Sequence, residues 1–95
     1  MKSPSPPELD IRGLELLRNV SGYDVKIEGD TVEITFVTDV KGEEKTIRIR
    51  GIVDGDKVKL NEAQVINGEV RNMSLDELKL WVDYINEVLE TWSTY

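Results

Sequence analysis

Between Tyr23 and Ile66 apolar and polar residues alternate with a period of two, and this constrains the chain more than any other feature. The apolar positions are Tyr23, Val25 and Ile27, then Val32, Ile34 and Phe36, then Ile47 and Ile49, then Val58 and Leu60. Successive side chains of a strand point to opposite sheet faces, so each run predicts a half-buried strand. Turn dipeptides separate the runs at Gly29-Asp30, Lys41-Gly42 and Asp54-Gly55. Spacings of this kind suit consecutive hairpins and hence an antiparallel meander of four strands.

A two-residue loop at each turn fixes which residues oppose one another, and the outcome tests the assignment. One predicted row reads Val25, Ile34, Ile49 and Leu60, and its neighbour reads Ile27, Val32, Gly51 and Val58. Both are apolar apart from Gly51. The opposite face reads Lys26, Glu33, Arg50 and Lys59, beside Asp24, Thr35, Arg48 and Asn61. A slip of one residue at any turn would carry charges into the core. The strained point is the end of the fourth strand, where Glu62 falls on the apolar face. A β-bulge near Asn61 or Glu62 would turn Ala63 and Val65 inward instead. After it, Asn67-Gly68 marks a further turn into a short Val70 segment or a loop. Gly51 leaves a gap in its row, for which an aromatic ring from the last helix is the expected filling, ahead of a bulge and of a ligand cavity.

Helical signals flank the meander. Ser5-Pro6-Pro7-Glu8 has capping-box spacing with proline tolerated in a first turn, which predicts a helix from about Pro7 to Asn19. Gly13 weakens it by about 1 kcal/mol relative to alanine. Residues 1–6 are read as a flexible Pro/Ser-rich tail and residues 7–95 as one domain. At the other end, Ser74 and Glu77 form a second capping box, with Met73 and Leu78 placed as a hydrophobic staple. Leu75, Leu78, Val82, Ile85, Leu89 and Trp92 then repeat at three- and four-residue steps, an apolar stripe that should cover the sheet. The fold class is therefore α+β, in the order α-β-β-β-β-α, with the long amphipathic C-terminal helix packed on one sheet face.

At about 100° per residue, Trp81 and Val88 stand beside that stripe, with Tyr84 and Leu80 beyond them. A helix on a sheet needs only one apolar face, so this flank calls for a second neighbour. The first helix is the simplest candidate. A second subunit, a protein partner or a small-molecule pocket are the functional ones, and Trp81, Tyr84, Val88 and Trp92 are the expected interaction residues.

Composition limits the chemistry. Without cysteine or histidine, the chain has no disulfide, no thiol nucleophile and no imidazole base or ligand. Neither enzymatic activity nor a cofactor is expected, although carboxylates such as Glu62 remain for acid–base work. Asp54-Gly55-Asp56 begins like a calcium loop, but the sixth and twelfth positions hold Lys59 and Val65 in place of glycine and an acid, so no metal site follows. No apolar run is long enough to span a bilayer, and no apolar segment follows Lys2 as in a secretory signal; a cytoplasmic location is expected. A net charge of −7 disfavours nucleic acid and anionic membranes as partners.

The charged sheet face, with Lys26, Arg48, Arg50 and Lys59, is mildly basic and offers a surface for an acidic partner; it has no aromatic residue on which a base could stack. In the predicted register Arg50 stands beside Lys59, a like-charge pair, and Glu33 pairs with both Lys26 and Arg50. The element order is shared by many small folds, secretion-chaperone-like and phage-encoded inhibitor proteins among them, and carries little functional information. The leading expectation is a non-enzymatic protein–protein interaction module, a small adaptor, inhibitor or chaperone-like protein. Its expected form is a homodimer joined through the C-terminal helix flank or an edge strand. The alternatives are a carrier of small apolar ligands with its pocket between sheet and helix, and a designed sequence without a biological role. Gly13 and the Pro-rich leader speak for a natural chain, and a thermophilic source would suit the composition.

Overall fold

The computed structural model describes residues 6–93, with the side chains of Val40, Trp92 and Ser93 outside that description. The elements in order are β1 (Glu8–Asp10), α1 (Ile11–Leu17), β2 (Tyr23–Glu28), β3 (Thr31–Val40), β4 (Glu43–Asp54), β5 (Lys57–Asn67), β6 (Glu69–Asn72) and α2 (Leu75–Ser93). The class is α+β. All pairings are antiparallel, in the order β1-β5-β4-β3-β2, with β6 joined to the same edge of β5 as β1 but further along it.

Each hairpin forms because its loop supplies the backbone conformation that the strand twist demands. Gly29 and Gly55 take φ of +58° and +66° as first loop residues before Asp30 and Asp56, the glycine-first arrangement of a type II′ turn. Lys41 and Gly42 both have positive φ, 54° and 79°, as type I′ requires. The first two hairpins keep the register read from the sequence: Val25 opposes Ile34, and Ile34 opposes Ile49.

The third hairpin corrects it. Its loop is Gly55-Asp56 rather than Asp54-Gly55, so Gly51 opposes Leu60 and Val53 opposes Val58. The reason is the turn type, since glycine must come first in a type II′ loop. The register then shifts again between Arg50 and Gly51, with Arg50 opposite Glu62 and Ile49 opposite Ala63, which leaves Asn61 as the extra residue of a β-bulge. Ala63 and Val65 are thereby buried and Glu62 faces outward. The inner rows become Val25, Ile34, Ile49, Ala63 and Ile27, Val32, Gly51, Leu60.

Among the described residues no aromatic ring fills the gap at Gly51. A Cβ there would stand 2.5 Å from the Lys59 carbonyl oxygen and 2.8 Å from Leu60 Cδ2, so the bulged strand itself occupies the space. Only glycine admits so close a backbone approach.

The N-terminal segment also departs from expectation. Glu8–Asp10 is a strand rather than helix, because its pairing with Lys57–Lys59 buries Leu9 opposite Val58. The Leu60 amide donates to the Pro7 carbonyl at 2.9 Å and the Ile11 amide to that of Asp56, also at 2.9 Å. The seven-residue α1 starts after Asp10, whose carboxylate accepts from the Arg12 amide as N-cap. Ser5, the predicted cap, and most of the predicted tail lie outside the described residues. Among the described residues six strands replace the predicted four: β1 is one addition, and β6, which also pairs with β5, is the other, where the sequence left a choice between a short segment and a loop.

The core lies between the concave face of the sheet and the two helices. Leu78, Val82, Ile85 and Leu89 of α2 are buried against the sheet rows together with Leu9, Leu14 and Leu17. The start of α2 is fixed as read: the Glu77 amide donates to Ser74 Oγ at 3.2 Å. Arg71 of β6 adds two hydrogen bonds of 3.0 Å to the Glu77 carboxylate. Those bonds hold the Glu77 carboxyl below its usual range, against slight desolvation and with help from the Ser74 amide. Gly13 allows α1 to approach α2, for a Cβ on it would come within 3.0 Å of Leu89 Cδ1. The glycine that weakens the helix therefore serves the packing.

Candidate functional site

Trp81 lies on the flank of α2 where the wheel places it, half-buried, and its second neighbour is not α1. The groove between the helices is lined on the α2 side by Asn86, Leu89 and Glu90, which lie across the buried stripe from Trp81. Trp81 instead meets the sheet: its ring packs edge-on against Phe36 of β3 at 5.6 Å, and Phe36 continues to Tyr23 of β2 at 5.0 Å. The curl of the sheet brings β2 and β3 up beside the helix. Tyr84, one turn further along α2, packs edge-on against Trp81 at 5.8 Å. Rings in such tilted and edge-on arrangements gain beyond their buried area, so the four aromatics tie the sheet edge to the helix flank.

The outer part of this cluster is open. Leu80 is 69 % exposed and Tyr84 48 % exposed, and with Trp81 and Glu77 they line a shallow groove of about 300 Å³. Val88 is half-buried against the core, and the side chain of Trp92 lies outside the described residues. Three of the four expected interaction residues are thus placed, with Tyr84 the most exposed of them.

Tyr23 carries an electrostatic mark of the cluster. Burial raises its pKa from about 10 to about 12, with neighbouring Tyr84 adding to the rise as a like charge when ionised and as a hydrogen-bonding partner of the neutral hydroxyl. A raised folded pKa means that the unfolded chain releases this proton first. Stability from this group is complete below pH 10 and falls as pH rises toward 12. In an ultraviolet titration, one tyrosine should ionise near pH 12, and Tyr23→Phe should remove that late phase. An unchanged late phase in Tyr23→Phe would show the shift to belong elsewhere.

Cluster and strand edge are continuous. β2 ends the sheet, and the glycine-first loop makes Glu28 and Thr31 the hydrogen-bonded pair that closes its hairpin. Bonded and non-bonded pairs alternate, so the amides and carbonyls of Tyr23, Val25 and Ile27 point away from β3. The Tyr23 amide does so visibly, donating to the Val20 carbonyl at 3.3 Å. Those of Val25 and Ile27 meet no backbone partner among the described residues. Ile27 is an inner-face residue, yet at the end of its row it is 41 % exposed. The sequence offered an edge strand without naming which; the signal for β2 was that the first strand of a meander has a neighbour on one side only.

The charged sheet face differs from its predicted form. The bulge sets Glu62, not Lys59, opposite Arg50, and the two side chains approach to 3.4 Å. Arg48 takes Glu33 at 3.0 Å, and Lys59 takes Asp54 at 3.0 Å. Glu33 stands between Lys26 and Arg50 in the ladder as predicted, but its carboxylate takes Arg48, so among the described residues it forms no ion pair with either, and Arg50 no longer opposes Lys59. Three of the four proposed acceptors of an acidic partner hold carboxylates of the same chain, and Lys26 has no ion pair among the described residues. Such exposed pairs contribute little to stability, but they neutralise the face.

Among the described residues no group of three acidic side chains is arranged to hold a metal, and no helix is long and apolar enough to cross a membrane. No protein-family profile, curated protein or solved structure matches the chain.

Proposed function

We propose that this chain is a non-enzymatic protein–protein interaction module that self-associates through the apolar surface running from the α2 flank to the β2 edge. The observation that carries this reading is the exposure of Leu80 and Tyr84 next to a half-buried tryptophan, on a helix whose core-facing stripe is already complete without them. Tryptophan and tyrosine side chains are enriched at the centres of protein interfaces, and exposed apolar surface contiguous with them marks such sites. The net negative charge favours solubility of the free chain, while the groove on the α2 flank is lined by Leu80, Trp81 and Tyr84 with Glu77 as its one charged residue.

Sedimentation equilibrium from low to high micromolar concentration tests the reading. A concentration-dependent dimer is expected, weakened by the pair of surface substitutions Leu80→Glu and Tyr84→Ser, neither of which removes a buried side chain. A chain that stays monomeric throughout, or a dimer indifferent to both substitutions, would overturn it.

A further inference from the structure

We infer that a second copy of this chain pairs with it antiparallel through β2, about a two-fold axis at Val25, joining two sheets into one. This rests on the self-association reading above and specifies its register. Three observations converge on it. The outward amides and carbonyls of Val25 and Ile27 have no backbone partner among the described residues, and β2 is straight enough to pair with β3 over all six residues without a bulge. Ile27, an inner-face side chain, stands exposed at the end of its row. Lys26 has no ion pair among the described residues, unlike its neighbours Arg48 and Arg50.

Outward-pointing residues must oppose outward-pointing residues, so few registers are open. Centred on Val25, the pairs are Val25 with Val25 of the second copy and Tyr23 with Ile27, on the apolar face. Between them Asp24 opposes Lys26 twice, by symmetry, on the charged face. Moving the centre to Asp24 sets two aspartates against each other. Moving it to Lys26 sets two lysines together and Asp24 against Glu28. Moving it to Ile27 pairs Lys26 with Glu28 but sets Asp24 against Asp30 and leaves Tyr23 uncovered. The sequence Asp-Val-Lys is thus complementary to itself in one register only, and opposite charges across strands favour it as like charges oppose the others. That register covers Ile27 with Tyr23 of the second copy, beside the Tyr84 flank, and closes about four backbone hydrogen bonds between chains.

Charge reversal tests the register. Asp24→Lys alone and Lys26→Glu alone each create two like-charge pairs and should weaken the dimer by about tenfold or more, whereas the double variant restores opposite pairs and should return to near the wild-type affinity. Val25→Cys, in a chain with no other cysteine, should form an inter-chain disulfide under mild oxidation, since residues of such a pair lie about 5.5 Å apart at Cα. A dimer indifferent to the single reversals, or unrescued by the double variant and not linked through position 25, would overturn this register while leaving self-association through the helix flank in place. A wild-type chain that is monomeric at high micromolar concentration would overturn both.

Discussion

Gly51→Ala should destabilise the protein by about 3 kcal/mol, at the upper end of the cost of overpacking a core. The sign is the informative part. At a strand position open to other residues, replacing glycine by alanine stabilises by roughly 0.4–1 kcal/mol because the unfolded chain loses freedom. Here the added methyl would lie 2.5 Å from the Lys59 carbonyl oxygen, a backbone atom fixed by the β4–β5 ladder, and 3.1 Å from Leu60 Cα. Relief requires β5 to move away just where Leu60 is wholly buried and its amide is bonded to Pro7. A domain of this size is stable by only about 5–15 kcal/mol in total, so the urea midpoint should fall by a large fraction. A neutral or stabilising result would place the bulge elsewhere.

Ile49→Ala is expected to cost about 4 kcal/mol. The residue is fully buried between Ile34 and Ala63 in the middle row of the sheet. Removing a large core side chain costs about 2–5 kcal/mol, more where the walls cannot collapse. Two walls of this site are strands held by hydrogen bonds on both sides, and one neighbour is already an alanine. The matching control is Ile52→Ala, three residues on in the same strand and on the outer face, where the side chain is half-exposed; its effect should stay within about 0.5 kcal/mol. Equal losses at the two positions, measured by denaturant unfolding, would contradict the assignment of faces.

The contrast between these isoleucines was legible from period-two alternation, because parity survives errors in loop placement. Misplacing the third loop by one residue altered every predicted partner of β4 on β5, yet no side chain before the bulge changed face. The signal that would have placed it was present: Glu28-Gly29-Asp30 and Asp54-Gly55-Asp56 both put glycine ahead of aspartate, as a type II′ loop demands. The start of α2 was legible because Ser74, Glu77 and the spacing of Leu78, Val82 and Ile85 all point to one helix. β1 was not. Three residues with a single buried leucine carry too little pattern to outweigh a capping-box spacing, and the decisive factor, the free edge of β5, is a property of the assembled sheet.

The interaction surface was half legible. The wheel identified the apolar flank with Trp81, Tyr84 and Val88, but it could not say that curled β-strands would take the place offered to α1. Nor could alternation alone reveal that Arg50 and Lys59 would find carboxylates of their own: Glu62 reaches Arg50 through the one extra residue between Leu60 and Glu62, and Asp54 reaches Lys59 through the placement of the third loop.

That one residue has a wider meaning. Asn61 is exposed and has no partner on β4; delete it and Glu62 would still point outward and Ala63 inward, on a ladder that now runs without interruption. What would be lost is the local bend and added twist that a bulge gives a sheet. Curvature in this molecule is thus written as chain length rather than as side-chain chemistry, and a change of a single codon could flatten the cradle around α2 without altering the identity of any core residue.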